Sequence, residues 1–136
     1  MEKNKQLVMK VLKDMGYEPE LDSDQDIRLC MEMKEFYFFM PDEEEECYVN
    51  IVLPQFTGIK EGKEILALAT CNIMTRDMKL LKVYVEKNHE SVSASCDFIY
   101  TDEDSLKQNI VCSMEVMSNV TTLTRRKCAD LENTQT

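Results

Sequence analysis

The sequence contains few of the residues on which catalytic and cofactor-binding motifs depend. Its 136 residues include one histidine, three glycines, three prolines and no tryptophan. Gly58 and Gly62 lack the Lys-Ser/Thr pair that completes a phosphate-binding loop, and the G-x-S-x-G and H-E-x-x-H motifs are absent. His89 follows Asn88 at an expected hairpin tip, where a general base would have no sheltered pocket. We therefore expect no catalytic residues, no cofactor and no enzymatic activity.

Long apolar segments are also missing. A transmembrane helix needs about twenty predominantly apolar residues, and the sequence has no such run. Lys10, Lys13 and Asp14 interrupt the N-terminal segment, where a signal peptide would have an unbroken apolar stretch. We therefore expect a cytoplasmic protein without membrane contact. The length suits one domain, which we place at residues 1–130, followed by a disordered tail at 131–136.

Cysteine is present, but not in metal-binding or disulfide patterns. The six cysteines are widely scattered, none forms a C-x-x-C pair, and a single histidine is available to join them at a zinc site. We therefore predict no metal site and expect reduced thiols that pack as small apolar side chains. The alternative, from a different functional class, is a thiol- or metal-responsive sensor that uses some of these cysteines.

Acidic residues are concentrated in one part of the chain. The net charge is −10, and residues 14–46 alone carry −11, which leaves +1 for the remainder. The phosphates of a nucleic acid would be repelled by this distribution, so we expect no nucleic-acid partner. A strongly acidic surface favours solubility and could attract a basic protein partner.

Two acidic segments invite comparison with cation-binding loops. Asp22, Asp24 and Asp26 occupy the first ligand positions of an EF-hand loop, but Ile27 and Met33 replace its glycine and its terminal glutamate. We interpret this segment as a solvated turn between strands. A later block of five consecutive acidic residues is expected to be a mobile solvated loop without a dedicated ion site.

Hydrophobic periodicity predicts helices and strands in a definite order. The predicted elements are a helix at 2–15, strands at 17–21, 27–33, 36–40 and 47–53, a helix from 58–62 to about 75, a strand pair within 79–100, and a last helix that is capped by Thr101 and ends or bends between 118 and 130. The order α-β-β-β-β-α-β-β-α predicts an α+β fold with two layers, in which helices flank an antiparallel sheet.

Local chemistry adds detail to these predictions. A tight turn is expected at Lys34 and Glu35, and Pro54 is expected to end the fourth strand because proline cannot donate a ladder hydrogen bond. One face of the second helix is predicted to be buried and to be widened by Leu66. The residues of that face are Ile65, Leu68, Ala69 and Ile73.

The aromatic strand at 36–40 is the best candidate for a functional surface. Apolar residues occupy both of its faces, and Tyr48 and Val52 lie on the second face of the following strand. Because the helices cover one face of a two-layer sheet, the other face would expose an apolar patch. We predict a partner-binding surface formed by Phe36, Tyr37, Phe38, Phe39, Tyr48 and Val52.

The order of elements also carries a family resemblance over residues 3–125. The matching features are an opening helix closed by Gly16-Tyr17, the aromatic strand with its acidic break, and a hairpin at 81–98 that leads into a long helix. In these features the chain resembles the YbjN-like family of proposed bacterial sensory-transduction regulators and, more distantly, the type III secretion chaperone-like fold. The resemblance implies a helix-flanked antiparallel sheet and a non-catalytic role.

Chaperones of the similar fold act as dimers that bind extended segments of a client protein. Secretion chaperones pair through their second helix. In this chain the expected outer face of that helix is only modestly apolar, which weighs against this route. Its residues are Ala67, Thr70, Cys71 and Thr75. We predict a non-enzymatic protein-binding or chaperone-like regulator module that forms a homodimer and binds a protein client of unknown identity.

Overall fold

The computed structural model describes residues 2–43 and 45–134. Its elements are α1 (Lys3–Asp14), β1 (Glu20–Leu21), β2 (Ile27–Met31), β3 (Lys34–Phe39), β4 (Tyr48–Gly58), α2 (Glu64–Asp77), β5 (Leu81–Val85), β6 (Ser91–Ile99), α3 (Glu103–Ser118) and α4 (Val120–Thr134). The strands form one antiparallel sheet in the order β1-β2-β3-β4-β6-β5. The predicted α+β class and element order are confirmed, and the last predicted helix is divided into α3 and α4.

All four helices contribute to a core on one face of the sheet. Inward side chains of the strands, such as Phe38 and Ile51, are fully buried and join Leu12 of α1 and Ile110 of α3 in one apolar cluster. Burial of this apolar area is the main favourable contribution to folding. The opposite face of the sheet contributes no residue to this cluster.

The β2–β3 hairpin turns two residues earlier than predicted. Its turn is formed by Glu32 and Met33, whose φ angles of 52° and 65° lie in the left-handed region that a two-residue hairpin turn requires. Lys34 and Glu35, the predicted turn residues, are instead the first residues of β3. Met33 is fully exposed at the hairpin tip, although the alternating pattern had assigned it to the strand.

The prediction that Pro54 ends the fourth strand is wrong, because β4 continues to Gly58. The register of pairing with β6 shifts between Leu53 and Thr57, and Gln55 within this bulge has a φ of 48°. The Gln55 amide donates to Ser93 Oγ at 2.8 Å, so the backbone donor remains bonded. A bulge tolerates proline because the ladder is already interrupted there. The extension carries the end of β4 towards α4.

Helix α2 buries the face opposite to the predicted one. Its buried residues are Leu66, Ala67, Thr70, Cys71 and Met74. This face packs against β5 and α4. Ile65 and Leu68, two predicted core residues, are 82% and 50% exposed, while Ala69 and Ile73 are partly buried. The correction matters for function, because an apolar row now lies on the outside of the molecule.

Helix α3 begins with a different cap from the one predicted. Asp102, not Thr101, accepts a hydrogen bond from the Ser105 amide at 2.8 Å. Ser105 Oγ in turn accepts from the Asp102 amide at 3.0 Å, which completes a reciprocal capping box. The cap fixes the direction in which α3 leaves β6.

Helix α4 occupies a region expected to be partly disordered. A break at Asn119, inside the range where the sequence predicts an end or bend, separates it from α3. Residues 131–134, part of the expected disordered tail, form its last turn, and residues 135 and 136 lie outside the described residues. No helix in the described ranges is both long enough and apolar enough to cross a lipid bilayer.

Candidate functional site

The sheet face opposite the helices is the candidate functional site, and we call it the open face. Its centre consists of Tyr37 and Phe39 on β3 with Tyr48 and Val52 on β4. The register pairs Tyr37 with Val52, which puts their side chains on the same face. The rings of Tyr37 and Phe39 are stacked, with centroids 6.1 Å apart. Phe39 is 37% exposed and the other three are partly buried, so this centre is an apolar surface in contact with solvent.

Two of the six predicted surface residues lie on the other side of the sheet. Phe36 and Phe38 are 1% and 0% exposed and belong to the core. Because side chains alternate along a strand, β3 presents only every second aromatic residue on the open face. The predicted partner surface is therefore reduced to four residues, and their role in binding stays a prediction.

Charged residues flank this apolar centre, and they form pairs within the chain. Arg28 on β2 is paired with Tyr37, and Lys82 on β5 is paired with Ser95, which in turn pairs with Val52. Both cations therefore lie on the open face, one on each side of the apolar centre. Arg28 donates to Glu20 at 2.9 Å, and Lys82 donates to Asp97 at 3.1 Å. Arg28 also lies 3.9 Å from Glu35, so the two cations face three carboxylates, and this group carries a net charge of −1, against −10 for the whole chain.

A tyrosine–aspartate hydrogen bond connects the apolar centre to the charged rim. Tyr48 Oη donates to Asp97 Oδ2 at 2.8 Å. Burial, together with this carboxylate, raises the pKa of Tyr48 to about 12. The bond from Tyr48 and the contact with Lys82 lower the pKa of Asp97, against the opposing effect of burial. Asp97 is therefore ionised at neutral pH and holds the Tyr48 ring in place.

Asp97→Asn is expected to lower the free energy of unfolding at neutral pH by about 1–2 kcal/mol, because a charge-assisted hydrogen bond is lost. The folded-state pKa of Asp97 lies below its unfolded-state value, so the stabilisation is present above the unfolded pKa and is lost as pH falls through the folded pKa. The deficit of the variant should therefore shrink below about pH 4. Urea unfolding at a series of pH values measures it.

Asp26 supplies a control of opposite sign. Burial and the neighbouring Asp22 raise the pKa of Asp26. Its contribution to stability is therefore greatest below the unfolded pKa and is lost as pH rises through the folded pKa. Asp26→Asn should raise the free energy of unfolding at neutral pH. The same pH response in both variants would contradict these assignments.

The turn that contains Asp26 has its own internal hydrogen bonds. Asp22 Oδ1 accepts from the amides of Asp24 and Asp26, both at 2.9 Å. The carboxylate oxygens of the three residues lie within 4.8 Å of one another. Side chain-to-backbone bonds of this kind are typical of polar turns. The predicted strand-to-strand turn is thus observed, with Asp22 as the residue that shapes it.

The cysteines are only partly buried as predicted. All six are free: Cys30 and Cys112 are exposed, Cys47 and Cys128 are partly buried, and Cys71 and Cys96 are buried, which raises the pKa of each of these last two thiols to about 11. The thiolate is the reactive form, so both thiols are expected to be inert. In the described part of the chain, no cysteine belongs to a cluster of three potential metal ligands.

His89 is exposed at the tip of the β5–β6 hairpin, as predicted. Its Nδ1 contacts Glu64 Oε1 in the first turn of α2, so the hairpin tip touches the start of that helix. Both side chains are about half or more exposed, and a polar contact between such exposed groups contributes little to stability. His89 therefore stands at an exposed hairpin tip, and the expectation that it has no catalytic role stays a prediction.

Sequence reasoning missed two features. One is the exposed row on α2 that contains Ile65 and Leu68. The other is a cavity between α2 and α4, whose walls come from segments far apart in the sequence. A signal for the first was that apolar residues lie on more than one side of α2. No sequence pattern indicated the second, because its walls meet only in the folded chain.

Comparison with known proteins identifies the fold. No family profile matches the chain, and no curated protein matches it in sequence. Among solved structures, the chain is similar to YbjN, a proposed transcription regulator from E. coli, with a TM-score of 0.68, 9% identity, and coverage of 93% of this chain and 92% of that one. It is also similar to an uncharacterised protein from Methanothermobacter thermautotrophicus, with a TM-score of 0.53, 10% identity, and coverage of 90% and 98%. The chain therefore has a YbjN-like fold.

Proposed function

We propose that the protein is a non-enzymatic binding module whose open face binds a second copy of the same chain. The observation that carries the proposal is the partly exposed apolar centre at Tyr37, Phe39, Tyr48 and Val52, which none of the helices in the described ranges covers. Exposed apolar patches with a polar rim are typical of protein–protein contacts. Tyrosine, present here as Tyr37 and Tyr48, is also enriched among the residues that contribute most to such contacts.

Charge favours a second copy over a strongly charged partner. The cations Arg28 and Lys82 are already paired with carboxylates of the same chain. A basic client protein would be attracted more strongly to the acidic remainder of the surface than to this face. Two copies would repel each other through their net charges of −10, so salt should strengthen the dimer by screening that repulsion.

The exposed row on α2 is the competing surface for self-association. Ile65 and Leu68 are 82% and 50% exposed. Pairing through the second helix is also what the resemblance to secretion chaperones implies, and the argument against it rested on the wrong face of α2. A matched pair of substitutions separates the two surfaces.

Phe39→Lys is expected to weaken self-association about tenfold or more, because it puts an unpaired charge at the centre of the contact. Ile65→Lys makes the same change of net charge on α2 and should leave the dissociation constant nearly unchanged. Sedimentation equilibrium over a range of protein and salt concentrations measures the constant for both variants and for the unchanged protein.

Three outcomes would contradict the proposal. A monomer at high micromolar concentration and high salt would exclude a dimer of useful strength. A dimer lost on Ile65→Lys but not on Phe39→Lys would move the contact to α2. A monomer that binds a defined protein client through Phe39 would replace the second copy with that client. Far-UV circular dichroism must show that each variant is folded.

The solved structure of YbjN suggests a regulatory role for this fold. In this chain the acidic surface disfavours direct contact with nucleic acid. Any regulation would therefore act through protein contacts. Gel-shift titration with random-sequence DNA at low salt should give no complex. A complex would instead indicate that the protein contacts DNA directly.

A further inference from the structure

A cavity of about 340 Å³ lies between α2, α4 and the adjoining ends of β4 and β6. Its interior walls are mainly apolar or carry small side chains. The residues of these walls include Leu66, Ala67, Cys71, Val92 and Ala129. The volume falls within the range of about 300–1,000 Å³ that is usual for small-molecule sites. The cavity lies on the helix side of the sheet and is separate from the open face.

The mouth of this cavity is basic, in contrast with the rest of the protein. Lys60, Lys63 and Arg125 line it, and Glu132 is the one acidic residue among the lining residues. Lys63 and Glu132 are 3.8 Å apart and about half exposed, so their pairing is weak. The mouth therefore carries an excess of positive charge on a chain of net charge −10.

Arg125 is held in a fixed position at this mouth. Its Nε donates to Thr57 Oγ1 at 3.2 Å, and its Nη2 donates to the Phe56 carbonyl at 3.3 Å. Both acceptors lie in the β4 extension that follows the bulge. Within the described residues, the Nη1 group has no partner. A guanidinium held in this way can donate to an incoming anion with little further ordering.

A buried hydroxyl group in the cavity wall lacks a hydrogen-bond partner. Thr124 lines the cavity and is 3% exposed, and its Oγ1 has no bond to any described residue. Buried polar atoms in folded proteins are nearly always bonded to protein or to ordered water. The Thr124 hydroxyl is therefore available to an ordered water in the cavity wall, while the apolar walls and the basic mouth carry the argument for a ligand.

We propose that the cavity binds an anionic amphiphile, with one carboxylate or phosphate head at Lys60 and Arg125 and a short alkyl chain inside. The apolar walls suit the chain, and the basic mouth suits the head. We expect the volume of about 340 Å³ to accommodate an alkyl chain of up to about ten carbons.

Titration calorimetry with four ten-carbon probes tests the head group. Decanoate and decyl phosphate should both bind, and the tighter of the two identifies the preferred head. Decanol and decyltrimethylammonium, which have the same chain with a neutral or cationic head, should bind at least about tenfold more weakly, because the charge-assisted bonds are absent. Equal binding of all four probes would overturn the assignment of the basic mouth.

Substitutions then locate the bound probe. Arg125→Gln should weaken decanoate binding about tenfold or more, through loss of a charged donor. Arg126→Gln is the matched control, since it removes the same charge from an exposed position of α4 outside the lining. Ala129→Phe, at an exposed position on the cavity wall, should abolish binding by filling the space. Unchanged binding in a folded Ala129→Phe variant would overturn the site.

The native cysteines give an independent readout of where the probe binds. Cys128 lines the cavity and is partly exposed, whereas Cys30 and Cys112 are exposed and do not line it. Saturating decanoate should slow alkylation of Cys128 and leave the rates at Cys30 and Cys112 unchanged, as mass spectrometry of labelled peptides can measure. Equal slowing at all three thiols, or no slowing at Cys128, would contradict binding in this cavity.

Discussion

Replacing Phe38 with alanine is expected to lower the free energy of unfolding by about 3–5 kcal/mol, the usual cost of removing a buried phenylalanine side chain. Phe38 is 0% exposed and lies in the middle of β3. Its neighbours in the sheet register are Ile27 on β2 and Ile51 on β4, both fully buried, so little nearby structure can collapse into the space. Guanidinium unfolding followed by far-UV circular dichroism measures the change.

Phe39→Ala is the matched control, because it removes the same side chain from the adjacent position. Phe39 lies on the open face, where it stacks on Tyr37, and its loss should cost no more than about 1.5 kcal/mol. A low protein concentration removes any contribution from self-association. If Phe39→Ala proved the more destabilising change, β3 would be shifted by one residue, and Phe36 and Phe38 would form the exposed surface.

For the aromatic strand β3, the sequence could predict which residues share a face but not which face is buried. Alternation fixes two sets of residues, with Phe36 and Phe38 on one face and Tyr37 and Phe39 on the other. Because both sets are apolar, the pattern could not decide which set faces the helices. That choice depends on the neighbouring strands, whose core-facing residues the register brings beside Phe36 and Phe38.

Strand boundaries failed where the backbone enters unusual conformations. The tight turn at Glu32 and Met33 lacks glycine and asparagine, the residues that usually indicate a left-handed turn. Pro54 is a reliable strand terminator only in a regular ladder, and here a bulge accommodates it. Both errors moved an element boundary without changing the order of elements, so the predicted fold class survived.

The cavity could not be predicted because none of its walls is a local feature. Arg125 on α4 reaches acceptors at the end of β4, sixty-eight positions earlier in the case of Thr57. The cavity is lined by the end of β4, which the sequence pattern had placed outside the strand, and by the face of α2 that was expected to point outwards. Correct prediction of the site would have required both, together with the position of α4.

The orientation of helix α2 decides which of its side chains contribute to stability. Apolar residues lie on both the buried and the exposed side of α2, so a helical periodicity of 3.6 does not single out one face. Packing against β5 and α4 selects the face that contains Leu66, Cys71 and Met74. The exposed row at Ile65 and Leu68 is the consequence of that selection.

Leu66→Ala is expected to lower the free energy of unfolding by about 2–3 kcal/mol, the lower part of the range for buried leucine. Leu66 is 7% exposed but borders the existing cavity, so it loses fewer packing contacts than a leucine enclosed on all sides. Ile65→Ala, one position earlier and 82% exposed, should change the free energy by no more than about 0.5 kcal/mol. Urea unfolding of the two variants under identical conditions makes the comparison.

A reversed order of these two effects would have a specific structural meaning. A rotation of α2 by about half a turn around its axis would return Ile65 to the core and move Leu66 outwards. Such a rotation would remove the competing self-association surface on α2 and one wall of the proposed ligand cavity together. Because Phe39 and the open face lie on the other side of the sheet, the proposed dimer contact would be unaffected, and only the cavity proposal would fall.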